Sequence, residues 1–289
     1  MIHKEIKNID IEYPKRLLKI SNSPEKLYCI GNNKLLNSSK IVAIVGSRNC
    51  TEYGRKYARA FSEELSKNGI CIISGLAIGI DAAAHAGAIY EQGKTIAVLG
   101  GGLNHIYPKE NEWLYNLIIS KGGLIITEYG DEEKTKLSNF PKRNRIISGI
   151  ADAVLVVEAT AIRSGSIITA RFAKSQGKKV FCIPSNIDSS RGIGTNKLIM
   201  EGASLVTEPI QIIKALYKIE NKEELEKPIQ EIPEEYKEIY RTLISTELTV
   251  DEIARKLNKD INQINYLLTM MELEGLVIHK PGNIFKLKE

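Results

Sequence analysis

Rings are scarce in this chain. Phe, Tyr and Trp make up 6% of 289 residues, with a single Trp, so no binding surface can rest mainly on stacked aromatics. The four histidines (His3, His85, His105, His279) lie far apart, which disfavours a zinc site. The four cysteines (Cys29, Cys50, Cys71, Cys182) are not paired at metal-ligand or redox spacing. Cys71 and Cys182 sit in apolar runs and read as core thiols of a reducing compartment. No apolar run approaches the ~18 residues that a membrane helix needs. The N-terminus is polar from Lys4 onward, unlike a secretory signal. The expectation is a cytoplasmic protein without membrane insertion.

Nucleotide fingerprints are missing too. No G-x-G-x-x-G follows a strand-like run with an acidic residue at the right distance, and no G-x-x-x-x-G-K-[ST] occurs. NAD and ATP are therefore disfavoured, and no cofactor or metal is expected. No Ser or Cys nucleophile has an obvious base. Asp81 and His85 lie one helical turn apart, but they read as a loop-ordering and a packing residue rather than an acid–base pair. No catalytic residue is assigned, and the chain is not expected to be an enzyme.

What is present is a repeating pattern. From residue 41, short β-branched apolar runs end in Gly or Ser and alternate with helical segments. The runs are Ile41–Val45, Ile70–Ile73, Thr95–Leu99, Leu124–Thr127, Ala153–Val157 and Val180–Ile183. Helices are predicted at Tyr53–Asn68, Ile80–Gln92, Lys109–Ser120, Ser166–Gln176 and Asn196–Glu201. Strands apolar at nearly every position are buried on both faces. The alternation predicts an α/β class: a Rossmann-like, mainly parallel sheet with helices on both faces. Residues 1–40 read as a lead-in packed on that domain, which spans 41–217. Residues 218–234 are highly charged, contain two prolines and read as a linker. Residues 235–289 read as a small winged-helix domain, with helices at Tyr236–Ser245, Val250–Leu257 and Ile261–Glu274. A hairpin from Leu276–His279 and Ile284–Leu287 completes it. Thr249-Val-Asp-Glu252 opens the second of those helices as a capping box.

In an open parallel sheet, ligands bind beyond the C-terminal ends of the strands. Those ends carry Gly46-Ser-Arg-Asn49, Ser74-Gly-Leu-Ala-Ile-Gly79, Gly100-Gly-Gly-Leu103, Glu128-Tyr-Gly130, Arg163-Ser-Gly-Ser166 and Pro184-Ser-Asn186. Glycine lets the backbone approach a ligand, and amides at helix starts favour anions. Turn geometry alone explains many glycines, but it does not call for Arg48 or for Ser164 and Ser166. The sharpest feature is Phe140-Pro-Lys-Arg-Asn-Arg145, where Lys142, Arg143, Asn144 and Arg145 follow an aromatic ring. Cations pair with phosphates and a ring can stack on a base. Net charge is +5 overall, yet residues 228–289 hold eight Lys/Arg against eleven Asp/Glu, a net of −3 that leaves +8 on residues 1–227. The recognition-helix position, Ile261-Asn-Gln-Ile-Asn-Tyr266, has no Lys or Arg, so the basic character belongs to the α/β domain.

Taken together, these motifs resemble the DNA-processing protein A (DprA/Smf) family. The segments that carry the likeness are Tyr13-Pro-Lys-Arg-Leu-Leu18, Val45-Gly-Ser-Arg48, Ser74-Gly-Leu-Ala-Ile-Gly-Ile-Asp81 with His85, and Leu99-Gly-Gly-Gly-Leu103 with Tyr107-Pro108. Phe140 to Gly149, Val157-Glu-Ala159, Ser164-Gly-Ser166 with Thr169-Ala170, and Gly194-Thr-Asn196 with Gly202-Ala203 complete it. The resemblance implies binding of single-stranded DNA in a basic pocket of an extended Rossmann fold, a homodimer formed through that domain, and loading of the RecA recombinase during natural transformation. It implies that Arg48 and Lys142–Arg145 hold phosphates and that Phe140 lies against a base. Gly46, Ser47, Gly75, Ser164, Gly165 and Ser166 complete the expected DNA-binding set. Many members carry a helical domain before the Tyr-Pro motif, and here twelve residues precede it. Asn104 stands where the family often has Asp, and Ser185 where it often has Gly.

Two other readings compete. One is a nucleoside monophosphate phosphoribohydrolase-like enzyme, but aligning that group's Gly-Thr motif on Gly165-Ser166 puts Thr169 where its catalytic Glu belongs, and threonine cannot serve as that acid/base. The other is a nucleotide-sensing transcription regulator. An acidic winged helix with an Arg-free recognition helix speaks against it, because duplex affinity comes largely from phosphate neutralisation.

Overall fold

The computed structural model describes residues 3–91, 94–160, 164–217, 233–243 and 246–287. The chain divides into two compact units, Met1–Ile219 and Glu220–Glu289. The linker expected at 218–234 lies, except for Pro233 and Glu234, outside the described residues.

The first unit is built on a nine-stranded sheet in the order β1-β2-β6-β5-β4-β3-β7-β8-β9. Its parallel part comprises β3 (Ile41–Val45), β4 (Cys71–Ser74), β5 (Thr95–Val98), β6 (Leu124–Thr127), β7 (Ala153–Val156), β8 (Lys179–Cys182) and β9 (Ser204–Leu205). The apolar runs thus form strands because both of their faces are covered. In β3, Ile41, Ala43 and Val45 enter one core while Val42 and Ile44 enter the other, as a two-residue side-chain period requires. The first core is closed by α4 (Asn139–Ile150) and α5 (Gly165–Ser175), and the second by α1 (Glu52–Lys67), α2 (Ile80–Glu91) and α7 (Pro209–Tyr217). Helix α3 (Glu112–Ser120) covers the β5–β6 end through Leu114, Tyr115 and Ile118. Helix α6 (Ile193–Met200) follows the loop after β8 and begins earlier than its sequence pattern predicts.

Three features differ from the expectations. The lead-in contributes β1 (Lys4–Lys7) and β2 (Lys26–Gly31), which extend the sheet beyond β6, β2 pairing antiparallel with β6 and β1 antiparallel with β2. In β1 only Ile6 is buried, and in β2 Lys26 and Tyr28 interrupt the buried apolar positions, so the apolar run that marks a central strand is absent. Tyr13 is buried, its hydroxyl donating to the Pro24 carbonyl at 2.5 Å, and Arg16 Nε donates to Asp152 at 2.9 Å. Tyr13 thus folds the lead-in on itself within the first core, and Arg16 fastens it beside the start of β7. The segment Phe140–Arg145, assigned to no element from sequence, lies within α4. Pro141 is the third residue of that helix, where its missing N–H has no partner to lose. Helix α7 also has no counterpart among the predicted elements.

The second unit packs α8 (Lys237–Leu243), α9 (Val250–Leu257) and α10 (Ile261–Leu273) around Ile239, Ile253, Ile264, Leu268 and Met271. Strands β10 (Leu248–Thr249), β12 (Ile284–Leu287) and β11 (Val277–Lys280) form its wing sheet. The Thr249–Glu252 capping box is present in full. The protein is an α/β sheet protein with a winged-helix domain. Among the described residues, no helix is long and apolar enough to cross a membrane, and no group of three or more His, Cys, Asp or Glu could hold a metal.

Candidate nucleic-acid interface

From β3 the strand order runs β4, β5, β6 to one side and β7, β8, β9 to the other. The β3/β7 pair is thus the point at which the winding reverses, and the loops leaving those two strands diverge to open a crevice. A cavity of about 470 Å³ lies there. Its walls include Gly46, Ser47, Arg48 and Asn49 after β3, Thr160 and Ser164 after β7, Gly165 and Ser166 at the start of α5, and Phe140, Arg143 and Asn144 on α4.

Each wall is fixed by local chemistry. Gly46 is required because a Cβ there would meet the Ile80 side chain at 2.5 Å. Gly79 has φ +83, a left-handed conformation suited to glycine, and a side chain there would strike the Ser47 and Arg48 carbonyls. These two glycines let the β3 and β4 loops touch. Asp81 Oδ2 accepts from the Gly75 amide at 3.1 Å and the Ala77 amide at 3.4 Å, which shapes the β4 loop. Burial raises the Asp81 pKa, with Arg143 and those amides opposing. Helix α5 opens on the cavity wall with Ser164 as its N-cap, a position whose following amides have no partner within the helix and favour anions. By contrast, the start of α1 is filled from inside the protein. Glu158 Oε2 accepts from the Thr51 amide at 3.0 Å, and Thr51 in turn caps Gly54 at 3.1 Å.

The basic segment does not act as one patch. Residues in a helix turn by about 100° each, so four neighbours face four ways. Lys142 is exposed and does not line the cavity. Arg143 points inward and is 4% exposed, donating to the Gly75 carbonyl at 2.7 Å and also to the Val98 carbonyl. Burial lowers its pKa to about 10, with Asp81 opposing and Arg48 adding to the effect. Asn144 donates to the Gly165 carbonyl at 3.0 Å and so ties α4 to α5. Arg145 turns to Glu128 with bonds of 3.0 and 2.6 Å, and it is not among the cavity residues. The three cations expected to hold phosphates are therefore placed differently: Lys142 is exposed outside the cavity. Arg143 forms part of the floor with its guanidinium already engaged, and Arg145 is held by a carboxylate.

Among the described residues, the cations that line the cavity and keep solvent exposure are Arg48 and Arg191. Arg48 lies over the Phe140 ring at 4.8 Å from its centroid. Arg191, which donates to the Asn49 carbonyl, lies in the loop after β8 beyond the Pro184-Ser-Asn186 turn that marks the strand end in the sequence. Asp81 is the one carboxylate among the described cavity residues. Thr169 also lines the cavity, its hydroxyl donating to the Gly165 carbonyl at 3.0 Å. His85 does not reach the cavity. It is buried, with Nδ1 at 2.7 Å from Thr95 Oγ1.

Comparison with known proteins agrees with the fold. Residues 4–217 match the family model described as DNA recombination-mediator protein A, and residues 223–283 match that of the DprA winged helix domain. Protein Smf of Escherichia coli is 36% identical over 96% of this chain and 75% of its own length. DNA processing protein DprA of Streptococcus pneumoniae is 45% identical over 69% of this chain and 69% of its own length. The X-ray structure of the Streptococcus pneumoniae protein superposes with a TM-score of 0.68 at 42% identity, covering 73% of each chain. DNA processing protein A from Helicobacter pylori, characterised for its single-stranded DNA binding mode, gives 0.67 at 33% identity, covering 75% of this chain and 96% of that one. Both units, in this order and with these motifs, make the chain a member of the DNA-processing protein A (DprA/Smf) family.

Proposed function

We propose that the chain binds single-stranded DNA in the cavity at the β3/β7 rim. It acts as a homodimer that protects incoming DNA and passes it to a RecA-type recombinase in recombination or natural transformation. The observation that carries the DNA reading is the lining of that cavity, which includes Arg48 and Arg191 together with Gly46, Ser47, Ser164, Gly165 and Ser166. Guanidinium groups and helix-start amides are phosphate ligands, and glycines let a sugar–phosphate chain come close. The homologue from Helicobacter pylori, known for its single-stranded DNA binding, supports the same ligand class. A crevice lined this way grips backbone more than base edges, so binding is largely independent of sequence.

The test is a fluorescence-anisotropy titration of single- and double-stranded oligonucleotides against wild type, Arg48→Ala and Arg191→Ala. Preference for the single strand, weakened in both variants while their melting temperatures hold, supports the assignment. Unchanged affinity in both variants overturns it. Sedimentation of the free protein tests the dimer, and strand exchange by a RecA-type recombinase with and without the chain tests the delivery role.

A further inference from the structure

Two rings stand beside the cavity, and they are not equivalent. Phe140 is engaged within the protein. Arg48 lies over it at 4.8 Å from the centroid and the Arg143 guanidinium is 6.0 Å away. The ring also packs so closely on Gly100 that a Cβ there would sit 3.1 Å from its Cδ1. A base could stack on Phe140 only by taking the place of Arg48. Tyr107 is different. Its ring centroid is 5.5 Å from that of Phe140, inclined by 37°, and the residue is 46% exposed.

Tyr107 also stands on a path. A small recess lined by Arg48, Ile78, Tyr107 and Phe140 adjoins the main cavity, sharing Arg48 and Phe140 with it. Beyond Tyr107 an open groove of about 450 Å³ continues past Asn104, His105, Lys109 and Thr135, with Glu112 as its acidic member. Arg48, Phe140 and Tyr107 therefore form one ridge running from the cavity to the groove.

We propose that Tyr107 is the base-stacking platform of the site, a second subsite that takes an unpaired nucleobase as the strand leaves the cavity. This rests on the reading that the chain binds single-stranded DNA. Arg48 holds a phosphate at the inner end of the ridge, and Phe140 serves as the backing that orients Arg48 and Tyr107. Stacking on a ring face is indifferent to base identity, which suits a surface that reads no sequence. Duplex DNA cannot use the platform, because its bases are already stacked on each other. The subsite therefore adds to the preference for single strands.

The experiment compares wild type, Tyr107→Ala and Tyr107→Phe on oligothymidine and on an abasic strand of equal length. Loss of one base–ring stack lowers affinity by about tenfold to a hundredfold. The expected result is that loss for Tyr107→Ala on oligothymidine only, with Tyr107→Phe near wild type and the abasic strand binding all three alike. An equal loss on both strands overturns the proposal, since Tyr107 would then act on the backbone or on the fold. Unchanged binding of Tyr107→Ala to oligothymidine overturns it as well, while leaving the cavity assignment standing. A wild type that binds no single strand removes both.

Discussion

Arg143 Nη1 donates to the Gly75 carbonyl at 2.7 Å, so a cation of the most basic segment near the cavity is engaged within its floor. The same nitrogen serves the Val98 carbonyl, and a Cβ on Gly75 would sit 2.5 Å from the guanidinium. This one side chain joins α4 to the ends of β4 and β5. Its loss and the loss of Arg48 should be distinguishable in the test tube.

Arg143→Ala leaves two buried carbonyls without donors, at about 1–3 kcal/mol each. Chemical denaturation should show a drop of a few kcal/mol, and any DNA defect should follow the unfolded fraction. Arg48→Ala should stay within about 0.5 kcal/mol of wild type, as surface changes do. It should also reduce the slope of log affinity against log salt by about 0.7, the value for one single-strand phosphate contact. A stable Arg143→Ala with a DNA defect would refute the structural role.

Arg145 gives the complementary case. It shares two bonds with Glu128, and both side chains are mostly shielded from solvent. Arg145→Ala strands that carboxylate at a cost of about 2–3 kcal/mol, below the range for fully buried pairs. Glu128→Gln in the same chain should recover much of the loss. DNA affinity of the folded fraction should be unchanged in both variants, as read by anisotropy below the melting transition.

Much of this arrangement was legible in the sequence. The strand runs from Ile41 to Ile183 were visible because both faces of each strand are buried, which forces an apolar residue at nearly every position. Arg48 and the Ser164–Ser166 turn were visible because strand ends in such a sheet must carry the ligand loops. The directions of Lys142, Arg143 and Arg145 were not legible, because consecutive charges look alike in one dimension and only the helical turn sends them apart. Strand β2 was hidden because it pairs at the sheet margin and alternates Lys26 and Tyr28 with Leu27 and Cys29. Arg191 was hidden because nothing local marks a cation whose partner, Asn49, lies on another loop.

Gly79→Ala should damage stability and binding together. A non-glycine residue at φ +83 costs roughly 1–2 kcal/mol, and the added methyl group also meets the Ser47 and Arg48 carbonyls. The β3 loop must then move, and it carries Arg48. Thermal melts and anisotropy on the same sample should both shift. Loss of stability with intact affinity would show that the loop contact does not position Arg48.

Acid should loosen the first unit through His85. Burial, helped by the Arg143 charge, pushes its imidazole down to about 3 from an ordinary value of 6.5. Between those two values the unfolded chain holds a proton that the folded one does not. His85 therefore makes stability fall as pH drops through 6.5 towards 3, by up to about 1.4 kcal/mol per pH unit. Asp81 acts in the opposite sense, because its folded pKa is raised and the folded state takes up its proton first. The difference between wild type and His85→Gln across pH 4–7 isolates the histidine. The variant should lose less stability on acidification, and parallel curves would contradict the assignment.

The carboxylate that closes the start of α1 has a wider consequence. Glu158 holds the Thr51 amide, so that pole of attraction is answered internally before any ligand arrives. Ser164, at the head of α5, makes no capping bond of its own. On the proposed reading, an incoming polyanion meets a rim with unequal landing points. A sheet edge that repeats glycine loop after loop acquires a preferred place of first contact, set by which helix the protein has already satisfied.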